Sequence, residues 1–410
     1  MSFAASSVSP EAVPSAASRA ASLAGTRERW RMSIEARALV MVTAILVTFG
    51  LAVLYSASAI VAVDAGSPGH HFVVRQGLGV IAGALGFAVL AKLDAEMWKK
   101  WAWPVMIVSL ILMIVVVLPG TEAIYGSRRA LFGGSIQPSE LAKFAILVWT
   151  PMLLVKKGAR VKEVRKGLMP FAVVIGSLCV LAILEPDYSV AMMFCLLMAV
   201  LLFVGGAKIS HFVLFGTLGL LLMGVKMADS NYVRERLRSF SEGEQALSNR
   251  KSPTADQQHQ SLVAVGSGGI MGVGFGQGNQ QRGWLPLAYN DFIGSIVGEE
   301  FGFLGLAGLT VLFALYGWLG FRIAREARSP FLTLVAVGLT FTTVFTAFIH
   351  LAVVIGLLPN TGLTLPFVSY GRSNLVLTLG MTGILVNIGS SRERVYGVSA
   401  TDPLVSPSLS

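Results

Sequence analysis

The sequence predicts an all-α polytopic membrane protein of about ten transmembrane helices. Three observations carry that class. Of the 410 residues, 54% are hydrophobic and 13% charged, with a mean hydropathy of +0.70, so a water-soluble globule would expose too much apolar surface. Several runs reach the roughly 20 apolar residues that span a bilayer. The basic residues are sorted between alternate loops, as a fixed membrane topology requires.

Residues 1–33 are rich in Ala, Ser and Pro without apolar periodicity and read as a disordered cytoplasmic tail. They lack a signal-peptide core, so the first span is expected to remain as an anchor. The membrane domain covers 34–390, with spans at about 38–62, 72–91, 102–119, 138–155, 168–184, 188–206, 210–228, 292–320, 330–358 and 374–390. Residues 391–410 read as a second cytoplasmic tail. One set of loops carries Arg27, Arg29, Arg31, Arg37, Lys92, Lys99, Lys100, the run Lys156 to Lys166, Lys208, Arg322, Arg325, Arg328, Arg392 and Arg394. The short loops of the other set carry only Arg75, Arg128, Arg129 and Arg372. The positive-inside rule therefore places both termini in the cytoplasm. The net charge of +10 is mostly this topology signal. No soluble basic patch points to nucleic acid. Cys179 and Cys195 lie in apolar segments and read as small buried hydrophobes rather than a disulfide or metal pair.

The polar residues gather on the predicted outer face. A long loop, about 229–290, opens with the Arg-rich amphipathic piece 232–238 and carries Gln260, Ser261 and the glycine-rich stretch Gly272 to Gly278. A nucleotide-binding phosphate loop would need a Gly-Lys-Ser/Thr ending and a βαβ context, and neither is present. Tight turns and close packing are the favoured role of these glycines, with backbone contact to a pyrophosphate as the alternative. Before the fourth span, Pro138 suits the first helical position and Glu140 the third. Glu140 and Lys143 share a face, either as a structural pair or with Lys143 turned to an anionic head group. The segments 185–189 and 359–374 complete the outer set. His350, on the ninth span, has no second ligand at metal spacing and reads as a satisfied structural histidine. Asp291 stands where the long loop enters the eighth span, and Glu299 and Glu300 follow inside an apolar run. Ionisable groups at that depth mark cavities or substrate paths.

At these loops the sequence resembles the SEDS family of membrane proteins. The motifs are Arg-Arg…Gly-Gly…Gln-Pro-Ser-Glu-Leu-Ala-Lys at 128–143, Pro-Asp at 186–187 and Gln-Ser-Leu…Gly-Ser-Gly-Gly…Gly-x-Gly-x-Gly at 260–276. They continue with Leu-Pro…Asn-Asp-Phe-Ile…Gly-Glu-Glu-x-Gly at 285–302 and Gly-Leu-Leu-Pro…Leu-Pro-Phe-Val-Ser-Tyr-Gly at 356–371. They follow the family order over roughly residues 35–395.

The resemblance implies a ten-helix peptidoglycan glycosyltransferase. It would polymerise lipid II, a disaccharide-pentapeptide on undecaprenyl pyrophosphate, at the outer face of the cytoplasmic (inner) membrane. A class B penicillin-binding transpeptidase and other divisome membrane proteins would be its partners. The family's essential acid corresponds to Asp291. Inverting transfer from a pyrophosphate donor needs one base for the acceptor hydroxyl and positive charge for the leaving group. Asp291 is assigned as that base, and Arg128, Arg129 and Lys143 are candidates for the phosphate cradle. Gln260, Ser261, Ser369 and Tyr370 are further substrate-binding candidates from the motifs. Glu299 and Glu300 would hold a divalent cation (Mg or Mn) or anchor the eighth span, with a structural role favoured for at least one.

Two motifs depart from the family pattern. Arg372 and Asn374 replace the usual Gly and Ser after Ser-Tyr-Gly, and Gly294 stands where an aromatic usually follows Phe-Ile. Asn290 and the N-terminal tail lean toward the division branch, with the elongation branch as the alternative. A lipid II flippase would spread charge through the membrane depth, whereas here the polar groups cluster at one face. A non-catalytic divisome scaffold would need no base, and a ligase-like transferase would lack the motif set.

Overall fold

The structure is a computed structural model that describes residues 26–118, 137–208, 217, 224 and 253–396. All but two positions of the expected span 210–228 lie outside the described residues, as do Arg128, Arg129 and the piece 232–238. The helices are α1 (Ile34–Asp64), α2 (His71–Lys92), α3 (Trp98–Val117), α4 (Pro138–Lys157), α5 (Met169–Leu184), α6 (Tyr188–Val204), α7 (Pro253–Gly268), α8 (Ile293–Arg325), α9 (Pro330–Val354) and α10 (Arg372–Ile388). Among the described residues, six helical stretches are long and apolar enough to cross a membrane, and α5 and α6 are shorter apolar helices. All helices except α7 coincide with expected spans.

Local chemistry explains the helix starts. Ser33 caps α1 by accepting the Ala36 N–H at 3.1 Å, and Asp187 and Ser329 cap α6 and α9 in the same way. Such caps contribute about 1 kcal/mol each. Pro138 and Pro330 occupy first-turn positions where no N–H is required. Small residues allow close crossings, as expected where no hydrophobic drive separates helices from lipid. A Cβ on Gly383 would lie 2.7 Å from the Phe87 carbonyl oxygen, so α10 and α2 meet backbone to backbone.

Three features differ from the sequence reading. First, the chain is not wholly helical. Thr26–Met32 (β1) and Ser390–Tyr396 (β2) form an antiparallel ribbon, with Thr26 opposite Tyr396 and Met32 opposite Ser390. These residues fall largely in the segments read as tails. Ser33 N–H donates to Gly389 O at 3.1 Å, so the flanking segments leave the bundle side by side, and pairing them requires little loop-closure entropy. The ribbon also places the start of α1 and the end of α10 on one face.

Second, residues 253–268 are helical rather than loop. Gln258, Ser261, Ala264 and Gly268 are buried at helical spacing. The polar composition of this face hid it from a hydropathy reading. Third, α8 is broken at Gly302, whose φ of 64° and ψ of −158° no helix accommodates. Cys179 and Cys195 are free, their sulfurs 3.5 Å apart, and Cys195 is exposed on the bundle surface rather than buried.

Candidate active site

The break in α8 is filled by the glycine-rich segment that follows α7. α7 runs parallel to the first half of α8: Ser261 Oγ lies 2.7 Å from Ser295 Oγ, and a Cβ on Gly268 would lie 1.9 Å from Gly298 O. The chain then turns at Gly269 to Gly278 and returns to Ile293. Helix geometry puts Gly302 about 13 Å below the start of α8, near the middle of a bilayer core of roughly 30 Å. At that depth every backbone polar group needs a partner. The carbonyls of Glu299 and Glu300 accept N–H groups of Val273 and Gly274 at 3.0 and 3.1 Å. The N–H groups of Phe303 and Leu304 donate to Gly269 O and Ile270 O at 2.9 and 3.1 Å. Gly272 must be glycine, since its φ is +81° and a Cβ would lie 2.1 Å from Glu300 O.

The two buried glutamates complete this plug. Glu299 Oε1 accepts Asn279 N–H at 2.7 Å, and both its oxygens lie within 3.3 Å of Gln280 N. Glu300 Oε1 accepts Gly276 N–H at 3.1 Å and the Ser56 hydroxyl, which itself sits 2.7 Å from Gln281 Oε1. The glycine-loop N–H groups thus face Glu299 and Glu300. Glu299, ringed by N–H donors, does not suit a divalent cation. Among the described residues no group of three or more His, Cys, Asp and Glu could hold one.

Asp291 sits immediately before α8, on the face opposite the ribbon, and is half-buried. The turn that carries it is pinned by the loop before α10. Ser369 Oγ donates to Asn290 O at 2.7 Å, and Tyr370 N–H donates to Tyr289 O at 2.9 Å. Phe72, Tyr289 and Tyr370 pack ring against ring, with centroids 4.7 to 5.9 Å apart. Gln76, buried in α2, donates to Ser369 O at 3.1 Å and accepts Gly371 N–H at 3.2 Å. Leu287 and Phe367 flank the two loops with φ of +53° and +66°, the kind of strain that persists where surrounding contacts fix it.

The remaining expected residues sit on α4, α6 and α7. Ser261 is fully buried, its hydroxyl donating to Val354 O at 2.9 Å. Gln260 is half-buried on α7. Lys143 Nζ pairs with Glu140 Oε1 at 2.7 Å, with both side chains about nine-tenths buried. Ser189 Oγ donates to Thr361 O at 2.6 Å, tying the 185–189 turn to the 359–371 loop. The described polar loops therefore share one face. Sequence reasoning missed Gln76 and Ser56, although each is a polar side chain inside an apolar span.

Comparison with known proteins decides the family. The family model for FtsW, RodA and SpoVE, described as cell cycle protein, matches residues 36–394. A "Probable peptidoglycan glycosyltransferase FtsW" of Trichlorobacter lovleyi is 33% identical over 369 residues, covering 89% of this chain and 95% of that protein. "Stage V sporulation protein E" of Bacillus subtilis is 34% identical, covering 85% and 95%. Among solved structures, a chain described under "Structural coordination of polymerization and crosslinking by a peptidoglycan synthase complex" superposes with a TM-score of 0.69 at 27% identity, covering 86% of this chain and 96% of that one. Thermus thermophilus RodA gives 0.62 at 26%, covering 86% and 95%.

The chain belongs to this family, the SEDS proteins. It is a multi-pass membrane protein of the glycosyltransferase class. Its departures from the family pattern have visible structural partners. Asn374 donates to Thr364 Oγ1 at 2.7 Å and accepts from Thr378 at 2.9 Å, linking the loop to α10. Arg372 opens α10 and packs against Gly79 of α2. Gly294 leaves room for the His350 ring, 3.3 Å from where a Cβ would stand.

Proposed function

We propose that this SEDS protein polymerises lipid II into glycan strands at the outer face of the cytoplasmic membrane during septal wall synthesis, with Asp291 as general base. The observation that carries the assignment is the clamped turn: Ser369 and Tyr370 hold the backbone on the Asn290 side of Asp291, so its carboxyl has a fixed origin. Preorganisation of this kind supports catalysis because reacting groups gain from being held in place. The acceptor hydroxyl loses its proton to Asp291 as its oxygen bonds to the donor anomeric carbon, and the bond from that carbon to the pyrophosphate breaks. Cationic groups would stabilise the departing pyrophosphate, with Lys143, Arg128 and Arg129 as the candidates. The FtsW-named relatives support the division role, and the synthase-complex title supports a crosslinking partner, a class B transpeptidase.

The test is glycan polymerisation from labelled lipid II by the purified chain with its cognate transpeptidase, wild type against Asp291→Asn. Long strands from wild type and none from the folded variant are expected. Equal strands would remove Asp291 from the mechanism. No strands from wild type with partner bound would favour a flippase or scaffold.

A further inference from the structure

His350 lies on α9 and is 1% exposed. Its Nδ1 is 2.8 Å from Leu363 O, and its Nε2 accepts the Gly294 N–H at 3.3 Å. A backbone carbonyl can only accept and a backbone N–H can only donate. The two contacts therefore fix the neutral tautomer with its proton on Nδ1. The ring bridges two segments that meet again at the catalytic turn. Gly294 is three residues after Asp291, and its N–H belongs to the first turn of α8, where no intrahelical acceptor exists. Leu363 begins the stretch that reaches Ser369, whose hydroxyl also accepts Leu365 N–H at 2.8 Å and then holds Asn290 O.

Resting on the reading of Asp291 as base, we infer that His350 is a positioning residue for the transfer reaction. Through Gly294 it fixes the turn on the helix side of Asp291. Through Leu363 it fixes the loop that grips the other side. Gly294 is part of the device. A Cβ there would stand 3.1 Å from Val354 Cγ2 and 3.3 Å from His350 Nε2, so a larger residue crowds the imidazole and the Val354 methyl and makes them give by a few tenths of an ångström. The unusual glycine and the buried histidine thus form one unit.

The test measures kcat and KM for lipid II polymerisation in the complex with the transpeptidase, with unfolding midpoint and partner binding recorded for each variant. His350→Leu is expected to lower kcat about tenfold or more with little change in KM, because displacing a base by a fraction of an ångström slows the chemical step. His350→Gln keeps an acceptor and a donor and is expected to recover most of that loss. Gly294→Ala is expected to lower kcat similarly, with the His350→Leu/Gly294→Ala pair no worse than either alone. Wild-type kcat in folded His350→Leu, or equal losses in the Gln and Leu variants, overturns the inference. If His350→Leu does not fold, wild-type kcat in Gly294→Ala overturns it. Strands from Asp291→Asn would overturn the base assignment and this inference together. An inactive Asp291→Asn beside a fully active His350→Leu overturns this inference alone.

Discussion

Glu299 Oε1 accepts the backbone N–H of Asn279 at 2.7 Å, so a carboxylate in mid-span is satisfied by the loop that fills the break in its own helix. The loop needs an acceptor for N–H groups that would otherwise be buried unpaired, and the carboxylate needs donors at a depth without water. Each solves the other's problem. The arrangement gives Glu299 backbone partners within its own helix break.

Glu299→Gln tests that role. One oxygen would be replaced by an amide NH2 facing the Asn279 or Gln280 N–H, donor against donor. A stability loss of about 1–3 kcal/mol is expected, read as a lower unfolding midpoint in detergent, with activity falling in step with the folded fraction. Unchanged stability with activity abolished would instead place Glu299 in direct contact with ligand.

The glycines around the break divide into two groups. Gly268→Ala would put a methyl 1.9 Å from Gly298 O, and Gly302→Ala would add backbone clashes at a φ of +64°. Both are expected to cost more than about 2 kcal/mol and to reduce membrane expression sharply. Gly266→Ala meets nothing within 4 Å on the same helix, and it is expected to be neutral or to stabilise by about 0.5–1 kcal/mol. Comparable expression of Gly268→Ala and Gly266→Ala would argue against the parallel packing of α7 on α8.

The spans were readable because an apolar run of bilayer length suits little besides a lipid environment, and Asp291 stood out as an acid at a loop-to-span junction. α7 was not readable: its buried face includes Gln258 and Ser261, polar groups that hydrogen-bond to the last carbonyls of α9, and hydropathy scores such a face as loop. The glycine loop was read as tight packing, and that holds, but its depth depends on the break at Gly302, which no local pattern marks. The ribbon depends on two segments more than 350 residues apart in sequence leaving the bundle as neighbours, a property of the packed spans. Gln76 was missed because one polar residue in α2 carries no motif. Its importance comes from the loop that lands on it.

Ser369→Ala would leave Asn290 O and Leu365 N–H without their shared partner. A loss of about 1–2 kcal/mol in stability is expected, with kcat lowered on the order of tenfold as the Asp291 turn loosens. The signature is a kcat effect larger than the folded fraction explains. A KM increase with unchanged kcat would show that the hydroxyl meets substrate rather than the turn.

The Glu140–Lys143 pair allows a test between structure and substrate. Both side chains are about nine-tenths buried, so removing one partner leaves an uncompensated charge at a cost of about 3–5 kcal/mol. Lys143→Met and Glu140→Leu are each expected to be poorly folded. The double variant removes both charges together and is expected to regain most of the stability, since apolar replacements of buried ion pairs are often neutral. Its activity then carries the answer. If Lys143 serves only Glu140, the double variant polymerises lipid II at close to the wild-type rate. If Lys143 also stabilises the departing pyrophosphate, the double variant folds but loses two to three orders of magnitude in kcat, the scale seen when one preorganised donor to a developing charge is removed. Measuring both variants and the pair in one assay separates these outcomes, because the stability arm reports the pair and the rate arm reports the cradle.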